Sequence, residues 1–192
     1  MGRKVHHIPV TLDARGIRDL PVEEIALILR GADELIMRGG RTLLAKLLKG
    51  SRENKLRQLE LDKSPAYGAL RTLDMKDILA RIDWIILNDY LAIEYDYRLP
   101  LLVYTPRGWD IERRTYAAEL HARVDEQIAS HDTPPDLAWL NDKHYEVIML
   151  LLNRIEASGN RKYIPALESW SQSAVKRIRR KIHGVVETLL RD

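Results

Sequence analysis

The sequence has no cysteine, which excludes disulfides, thiol nucleophiles, iron–sulfur clusters and cysteine-bound zinc. Its six histidines do not fall at metal-ligand spacings, so we predict neither a metal nor another cofactor. Two further signatures of catalysis are absent, a Gly-x-Ser-x-Gly elbow and a carboxylate pair in an acid–base context. We therefore expect a protein that is not an enzyme.

Long apolar runs are also absent. No stretch approaches the roughly 20 apolar residues that span a bilayer. The basic segment 1–7 is not followed by the apolar core of a signal peptide. The expectation is a cytoplasmic protein with no membrane partner.

A large excess of either sign of charge is absent as well. The chain has 31 Lys and Arg residues against 28 Asp and Glu residues, which gives a net charge of +3. A surface that binds nucleic acid must therefore come from a local cluster of cations rather than from the overall charge. At 192 residues with 45% hydrophobic content, the chain can form one medium domain or two small ones.

Apolar residues recur at helical spacing over residues 20–90, and strand-prone segments follow. Pro21 suits the start of a helix, Gly50 suits a helix end, and Asp74 is a good N-cap residue. The predicted elements are helices from Pro21 to Ile36, Arg41 to Lys49, Glu53 to Leu61 and Asp74 to about Tyr90, then a hairpin of Leu91–Tyr95 and Leu101–Thr105 with a five-residue tip, ended by Pro106 and Gly108.

Helices followed by a hairpin are typical of a winged helix-turn-helix, a fold that commonly presents a helix and its wing to DNA. The predicted fold class is therefore mainly α with a small β-hairpin wing (α+β). We assign residues 1–19 to an N-terminal arm, 20–111 to the winged helix and 112–192 to a C-terminal helical region. In the arm, Ile8, Val10 and Leu12 alternate as in a short strand or an extended segment.

The C-terminal region is predicted to form paired helices. Their ranges are Thr115–Ser130, Leu137–Ala157, Tyr163–Trp170 and Ser173–Leu190, with a proline-containing linker at His131–Asp136 and a break at Gly159 and Asn160. The segments Ile155–Asn160, Tyr163–Leu167 and Val175–Arg179 are similar to a single HEAT-type repeat, so one HEAT-like repeat is an option here. The basic run from Lys176 to His183 is interpreted first as a solvated helix face, with a second nucleic-acid surface as the alternative.

Several segments of the winged-helix region resemble the RecQ C-terminal (RQC) domain of helicases. They follow the family's order: Leu47–Leu56 with its Gly-Ser pair, Asp62–Gly68 with Asp-Lys before Tyr-Gly, Ile85–Leu91 at the junction of helix and wing, and Val103–Trp109 where the strand leaves the wing. The sequence has no Walker-type Gly-x-x-x-x-Gly-Lys-Ser/Thr motif and no cysteines for a zinc module. It therefore resembles the stand-alone minor RQC-family DNA-binding proteins rather than a complete helicase.

The resemblance implies binding to duplex ends or junctions, mainly through phosphates, with the wing as a wedge or platform at the exposed terminal base pair. The candidate DNA-binding residues are Arg52, Lys55, Lys63, Ser64, Arg71, Lys76, Tyr97 and Arg98. Tyr97 is the leading candidate because an aromatic ring at a hairpin tip can stack on a terminal base. The competing interpretation of Tyr97 is a ring that is packed back on the hairpin or merely exposed, and that of Arg52, Lys55 and Lys63 is a solvated helix face.

Two neighbouring features are interpreted as unsuited to reading DNA. Tyr67 is expected to be a core ring beneath its loop. The helix that begins at Asp74 is a poor reader of the major groove because acidic residues, including Asp77 and Asp83, interrupt Lys76 and Arg81.

The leading hypothesis is a structure-preferring, non-catalytic DNA-binding adaptor whose C-terminal helices stabilise it or recruit a protein partner. One alternative is a winged-helix transcriptional regulator that dimerises through these helices and reads a palindromic site. Another is a protein–protein interaction module without DNA affinity. A DNA glycosylase built on HEAT-type repeats is disfavoured, because one repeat is too short to form a concave DNA-binding surface. The oligomeric state stays open.

Overall fold

The computed structural model describes residues 9–130 and 135–191. Its contacts divide the chain into two compact units, Met1–Glu112 and Arg113–Asp192. Helices dominate the described residues, which also contain a two-stranded antiparallel sheet. The predicted fold class, mainly α with a small β-hairpin, is confirmed.

The first unit begins with helices and ends with the hairpin. Its elements are α1 (Val22–Ala32), α2 (Arg41–Lys49), α3 (Asn54–Gln58), α4 (Met75–Leu87), β1 (Leu91–Asp96) and β2 (Leu99–Tyr104), with 3₁₀ turns at Asp33–Leu35 and Leu61–Lys63. The prediction that α2 ends on Gly50 is confirmed, since that residue has a φ of 75°. α3 is shorter than predicted because Glu60, with a φ of 56°, turns the chain out of the helix. Asp74 precedes α4, but its side chain makes no capping hydrogen bond.

One apolar cluster joins these elements, because each helix turns its apolar face inward. Leu29 of α1, Leu48 of α2 and Ile85 of α4 are fully buried, and α2 packs against both α1 and α4. Leu91 and Leu102 of the hairpin belong to the same cluster. Each such fully buried side chain stabilises the fold by about 1.5 to 3 kcal/mol. The base of the hairpin is therefore firmly held against the helices.

The connection between α1 and α2 also holds the hairpin. The backbone N–H of Met37 donates to the Leu102 carbonyl at 3.0 Å, and the N–H of Leu102 donates to the Gly39 carbonyl at 2.9 Å. Gly40 permits this close approach, because a Cβ there would lie 2.6 Å from the carbonyl oxygen of Pro100. Gly39 and Gly40, which end the first helical pattern, thus form the surface on which β2 packs.

The tip of the hairpin differs from the prediction. Strand pairing continues to Asp96 opposite Leu99, so the tip is the two residues Tyr97 and Arg98 rather than five. The predicted tip is too long because Pro100 is typical of a loop. A strand can nevertheless contain proline at the edge of a sheet, and both strands of a two-stranded sheet are edge strands. Tyr97 has a φ of 54°, the left-handed conformation that tight hairpin turns require.

Helix α5 (Pro106–Ala129) begins at Pro106, not at Thr115 as predicted. The Thr105 hydroxyl oxygen accepts a hydrogen bond from the backbone N–H of Gly108 at 3.1 Å, and Pro106 occupies the first helical position. Pro106 and Gly108, which the sequence predicts to end the hairpin, therefore lie in the first turn of a helix.

The second unit contains the remainder of α5 and the helices that follow it. These are α6 (Tyr145–Ala157), α7 (Ile164–Ser173) and α8 (Lys176–Arg191), with 3₁₀ turns at Ala138–Asp142 and Arg161–Tyr163. The single helix predicted from Leu137 to Ala157 is wrong: a 3₁₀ turn comes first, and α6 starts after His144, whose ring nitrogen accepts from the N–H of Glu146. α8 packs against α6 and α7 around the buried ring of Trp170. The HEAT-like repeat stays a prediction.

The described part of the N-terminal arm is tied to α4. Val10 and Leu12 do not form a strand, and Ile8 lies outside the described residues, as do residues 131–134 of the predicted linker. The N–H of Asp13 donates to a carboxylate oxygen of Asp83 at 2.9 Å. The arm therefore follows the helices as an irregular segment.

Candidate nucleic-acid interface

The Gly-Ser and Tyr-Gly motifs meet where the end of α2 contacts the loop before α4. Gly50 and Gly68 have φ angles of 75° and 71°, and a Cβ on Gly50 would lie 3.0 Å from the Cα of Gly68. The N–H of Gly68 donates to the Leu47 carbonyl at 2.9 Å, and the Tyr67 hydroxyl donates to the Ser51 carbonyl at 2.8 Å. These contacts hold two backbones together, so Tyr67 has the structural role predicted for it.

Arg52 and Arg71 are exposed beside this junction. The Nε of Arg71 donates to the Gly68 carbonyl at 3.2 Å, while among the described residues its terminal nitrogens have no hydrogen-bond partner. The ammonium of Lys49 donates to the carbonyls of Arg71 and Leu73, both at 2.8 Å, and fixes the loop. The junction thus presents two of the predicted cations on a rigid backbone.

Lys63 and Ser64 are less available than their positions in the sequence suggest. The ammonium of Lys63 lies 2.6 Å from the carboxylate of Glu60, a contact that raises the pKa of Lys63 and lowers the pKa of Glu60. Ser64 is only 9% exposed, and its hydroxyl oxygen accepts from the N–H of Ala66. Both residues line a depression that also contains Glu34. This part of the surface therefore carries little net positive charge.

Lys55 faces a different feature, a groove of about 370 Å³ beside the wing. Its cationic side is formed by Arg38, Arg41, Lys46 and Lys55, and its other side is formed by apolar residues of the hairpin. Among the described residues, no acidic side chain lines it. We call it the wing groove. The sequence did not predict this cluster, because its members come together only when β2 packs over the Gly-Gly pair.

The acidic residues of α4 are engaged by neighbouring cations. Asp83 is 3% exposed and accepts hydrogen bonds from the N–H of Asp13 and from the guanidinium of Arg41. Asp77 pairs with Arg15 at 2.8 Å. Part of α4 is therefore covered by the arm that carries Asp13 and Arg15.

The two basic residues of α4 differ in whether they are paired within the protein. Arg81 forms an ion pair with Glu24 of α1, whereas Lys76 is exposed and has no ion-pair partner among the described residues. A helix with a single available cation and one face under the arm offers few donors for base edges.

The wing tip exposes apolar surface to solvent. Tyr97 is 80% exposed and Leu99 is 64% exposed, and Arg98 between them is exposed as well. A ring packed back on the hairpin is therefore wrong for Tyr97, whereas a merely exposed ring stays an alternative to a DNA contact. Leu99 also lines the wing groove, so the tip and the groove form one continuous surface.

The basic run of α8 in the second unit is partly used within the protein. Lys181 pairs with Glu156 at 2.6 Å and lowers the pKa of that carboxyl, and Arg179 donates to the Ser171 carbonyl at 2.9 Å. Arg177 lies 4.1 Å over the ring of Tyr145. The exposed basic residues that remain on this helix are Lys176, Arg180 and His183. The run is thus largely the outer, partly paired face of an amphipathic helix.

A protein-family model of the RQC domain matches residues 21–129, which are more than half of the chain. The chain belongs to the RQC domain family. The match contains all the motif segments described above and extends through α5. The RQC domain is a non-catalytic DNA-binding winged-helix domain, so membership supports a general DNA-binding role for this chain. No curated protein and no solved structure matches the chain.

Within residues 9–130 and 135–191, no helix combines the length and apolarity needed to cross a bilayer. The same residues contain no group of three His, Asp or Glu side chains arranged as metal ligands.

Proposed function

We propose that this RQC protein is a non-catalytic adaptor that binds DNA at duplex ends, forks or junctions and recognises DNA structure more than sequence. The wing tip is the observation that carries the proposal. Tyr97 is 80% exposed on a tight turn whose base is fixed in the core. Stacking of an aromatic ring on a base is worth about 1 to 3 kcal/mol, and in duplex DNA an exposed base face occurs only at an end, a fork or a junction.

The distribution of cations supports backbone binding. Arg52 and Arg71 flank the Gly50–Gly68 junction, Lys76 is exposed on α4, and Arg98 is exposed on the wing. Side chains of this kind contact phosphates without reading the sequence. The side chains of α4 also favour backbone binding over base recognition, because its acidic residues and Arg81 already have partners within the protein.

Replacement of Tyr97 tests the role of the wing. Asparagine tolerates the left-handed backbone, so Tyr97→Asn removes the ring while keeping the turn. We expect it to weaken binding to a blunt 20-base-pair duplex by about 5- to 150-fold, the equivalent of one lost base stack. Tyr97→Trp should retain most of the affinity. Fluorescence anisotropy with a labelled duplex measures both.

A matched control is Leu190→Asn, because Leu190 is an exposed apolar residue of α8. It should leave the affinity unchanged. If Tyr97→Asn binds as tightly as the parent protein, the wing is not the contact that recognises duplex ends. If the parent protein binds no DNA at low salt, the chain acts as a protein–protein interaction module instead.

Salt dependence tests the phosphate contacts. If Arg52, Arg71, Lys76 and Arg98 each neutralise one phosphate of a blunt duplex, the logarithm of the binding constant should fall by about 3 to 4 per tenfold rise in salt concentration. Arg71→Gln should reduce this slope by about 0.9, since it removes one contact. Anisotropy titrations between low and physiological salt give the slope. A slope near zero would contradict backbone binding.

A further inference from the structure

The wing groove has two chemically different sides. One is cationic, and the other is formed by apolar residues that include Ile93 and Pro100 of the hairpin. Glu94 and Asp96 lie on the opposite face of the hairpin from Ile93, because side chains alternate along a strand. The negative charge of the wing is thus directed away from the groove.

Part of the positive charge of the groove is uncompensated. Lys46 pairs with Glu53 at 2.7 Å, and Arg41 is engaged by Asp83 and by the Thr11 carbonyl. Arg38 also lines the neighbouring depression that contains Glu34 and Glu60, but neither it nor Lys55 forms an ion pair among the described residues. Several cations in one concave surface reinforce each other's potential and attract an anion. The two unpaired cations are therefore the groove's own binding groups.

The floor of the groove is rigid before any ligand arrives. Gly39 and Gly40 line it, and the Gly39 carbonyl accepts from the N–H of Leu102 while Gly40 lies directly against Pro100. A preformed surface of this kind loses little conformational entropy on binding.

The size of the groove limits its occupant. A volume of about 370 Å³ is near the lower end of the range typical of small-molecule sites, roughly 300 to 1,000 Å³, and it is far too small for a double helix. One nucleotide has the required chemistry, since its phosphate suits Arg38 and Lys55 and its base suits the apolar wall. The groove is also continuous with the wing tip through Leu99.

We propose that the wing groove binds the unpaired strand of a forked or tailed DNA, with its phosphate at Arg38 and Lys55 and its base against Ile93 and Pro100, which lie on the same face of the hairpin. This inference rests on the proposed function and deepens it: Tyr97 meets the last base pair, and the groove takes the strand that continues beyond it. Single-strand binding of this kind joins a positively charged track to surfaces on which bases can pack.

The test compares a blunt 20-base-pair duplex with the same duplex carrying a ten-thymidine tail on its 3′ or 5′ end. We expect the parent protein to bind one of the tailed duplexes more tightly than the blunt one. Arg38→Gln should weaken binding to that tailed duplex by about tenfold, the equivalent of one charge-assisted contact, and leave binding to the blunt duplex unchanged. Arg18→Gln, which removes an exposed arginine outside the groove, should change neither affinity.

A second readout locates the strand. A 2-aminopurine at the first tail position should change its fluorescence on binding, and Ile93→Thr should reduce that change without affecting the blunt duplex. If tailed and blunt duplexes bind equally, or if Arg38→Gln weakens both alike, the groove does not take the strand although the protein still binds duplex ends. If no DNA binds at all, the proposed function itself fails, and this inference fails with it.

Discussion

Replacing Arg30 with methionine is expected to lower the free energy of unfolding of the first unit by about 3 to 5 kcal/mol. Arg30 is 7% exposed, and its guanidinium lies 3.6 Å from the carboxylate of Glu112, which is fully buried. It also lies 3.3 Å from the carboxylate of Asp33. Removal of the guanidinium takes away a cation that faces a fully buried carboxylate, and a buried charge that loses such a partner is costly.

The double variant Arg30→Met, Glu112→Leu separates this cause from a loss of packing. Because apolar residues can replace a buried ion pair at little cost, the double variant should recover most of the lost stability. Arg18→Met, at an exposed arginine, is the matched control and should change the free energy of unfolding by no more than about 0.5 kcal/mol. Urea denaturation followed by circular dichroism measures all three variants. A double variant no more stable than Arg30→Met alone would show that the pair is not responsible.

This ion pair matters for the candidate interface because it lies next to a contact between the wing and α1. The Tyr104 hydroxyl at the end of β2 donates to the Leu29 carbonyl at 2.8 Å. Burial raises the pKa of Tyr104, and the negative charge of Glu112 raises it further, so the hydroxyl keeps its proton and remains a donor. The exit strand of the wing and the first turns of α5 are therefore both attached to the end of α1.

Local signals explain which elements could be predicted from the sequence. α2 has apolar residues at helical spacing and a glycine at its end, and both features act within a few residues of the chain. The strands of the hairpin and its exposed tip follow from similar short-range patterns, which is why Tyr97 could be singled out before its exposure was seen.

The start of α5 shows how a valid local signal can be given the wrong meaning. Thr105 followed by Pro106 is a good start for a helix, since threonine caps the first turn and proline suits the first position. Pro106 and Gly108 were nevertheless interpreted as the end of the hairpin, because both residues also terminate strands. The choice depended on Gly108 being needed for contact with the backbone of Tyr90, and sequence periodicity carries no information about that contact.

The wing groove could not be predicted for a different reason. Arg38, Lys46 and Lys55 belong to three separate segments whose charges look like ordinary solvated helix faces. They become a cluster only through tertiary packing, when Pro100 approaches Gly40 and brings the hairpin beside α2. Conversely, Lys63 and Ser64 looked suitable for phosphate binding in the sequence, but a neighbouring carboxylate and burial make them less available.

Replacement of Gly108 by alanine is expected to destabilise the first unit by about 3 kcal/mol, the upper part of the range for overpacking a well-packed interior. An added Cβ would lie 1.9 Å from the carbonyl oxygen of Tyr90 and 2.8 Å from its carbonyl carbon. Neither atom can move freely, because the N–H of Tyr90 donates to the Ile85 carbonyl and its oxygen accepts from the N–H of Thr105 at 3.2 Å. The backbone of α5 must therefore shift away from the start of the wing.

Gly184→Ala is the matched control for this change. Gly184 lies within α8, and a Cβ there would have no atom within 4 Å, so alanine should stabilise its helix by about 0.5 to 1 kcal/mol. If alanine lowers the free energy of unfolding at position 108 and raises it at position 184, the effect at Gly108 comes from the contact with Tyr90 rather than from helix propensity. Since β1 begins at Leu91, directly after that contact, Gly108→Ala should also reduce binding to duplex ends, whereas Gly184→Ala should not. Unchanged stability in Gly108→Ala would mean that the contact between α5 and Tyr90 does not set the position of the wing.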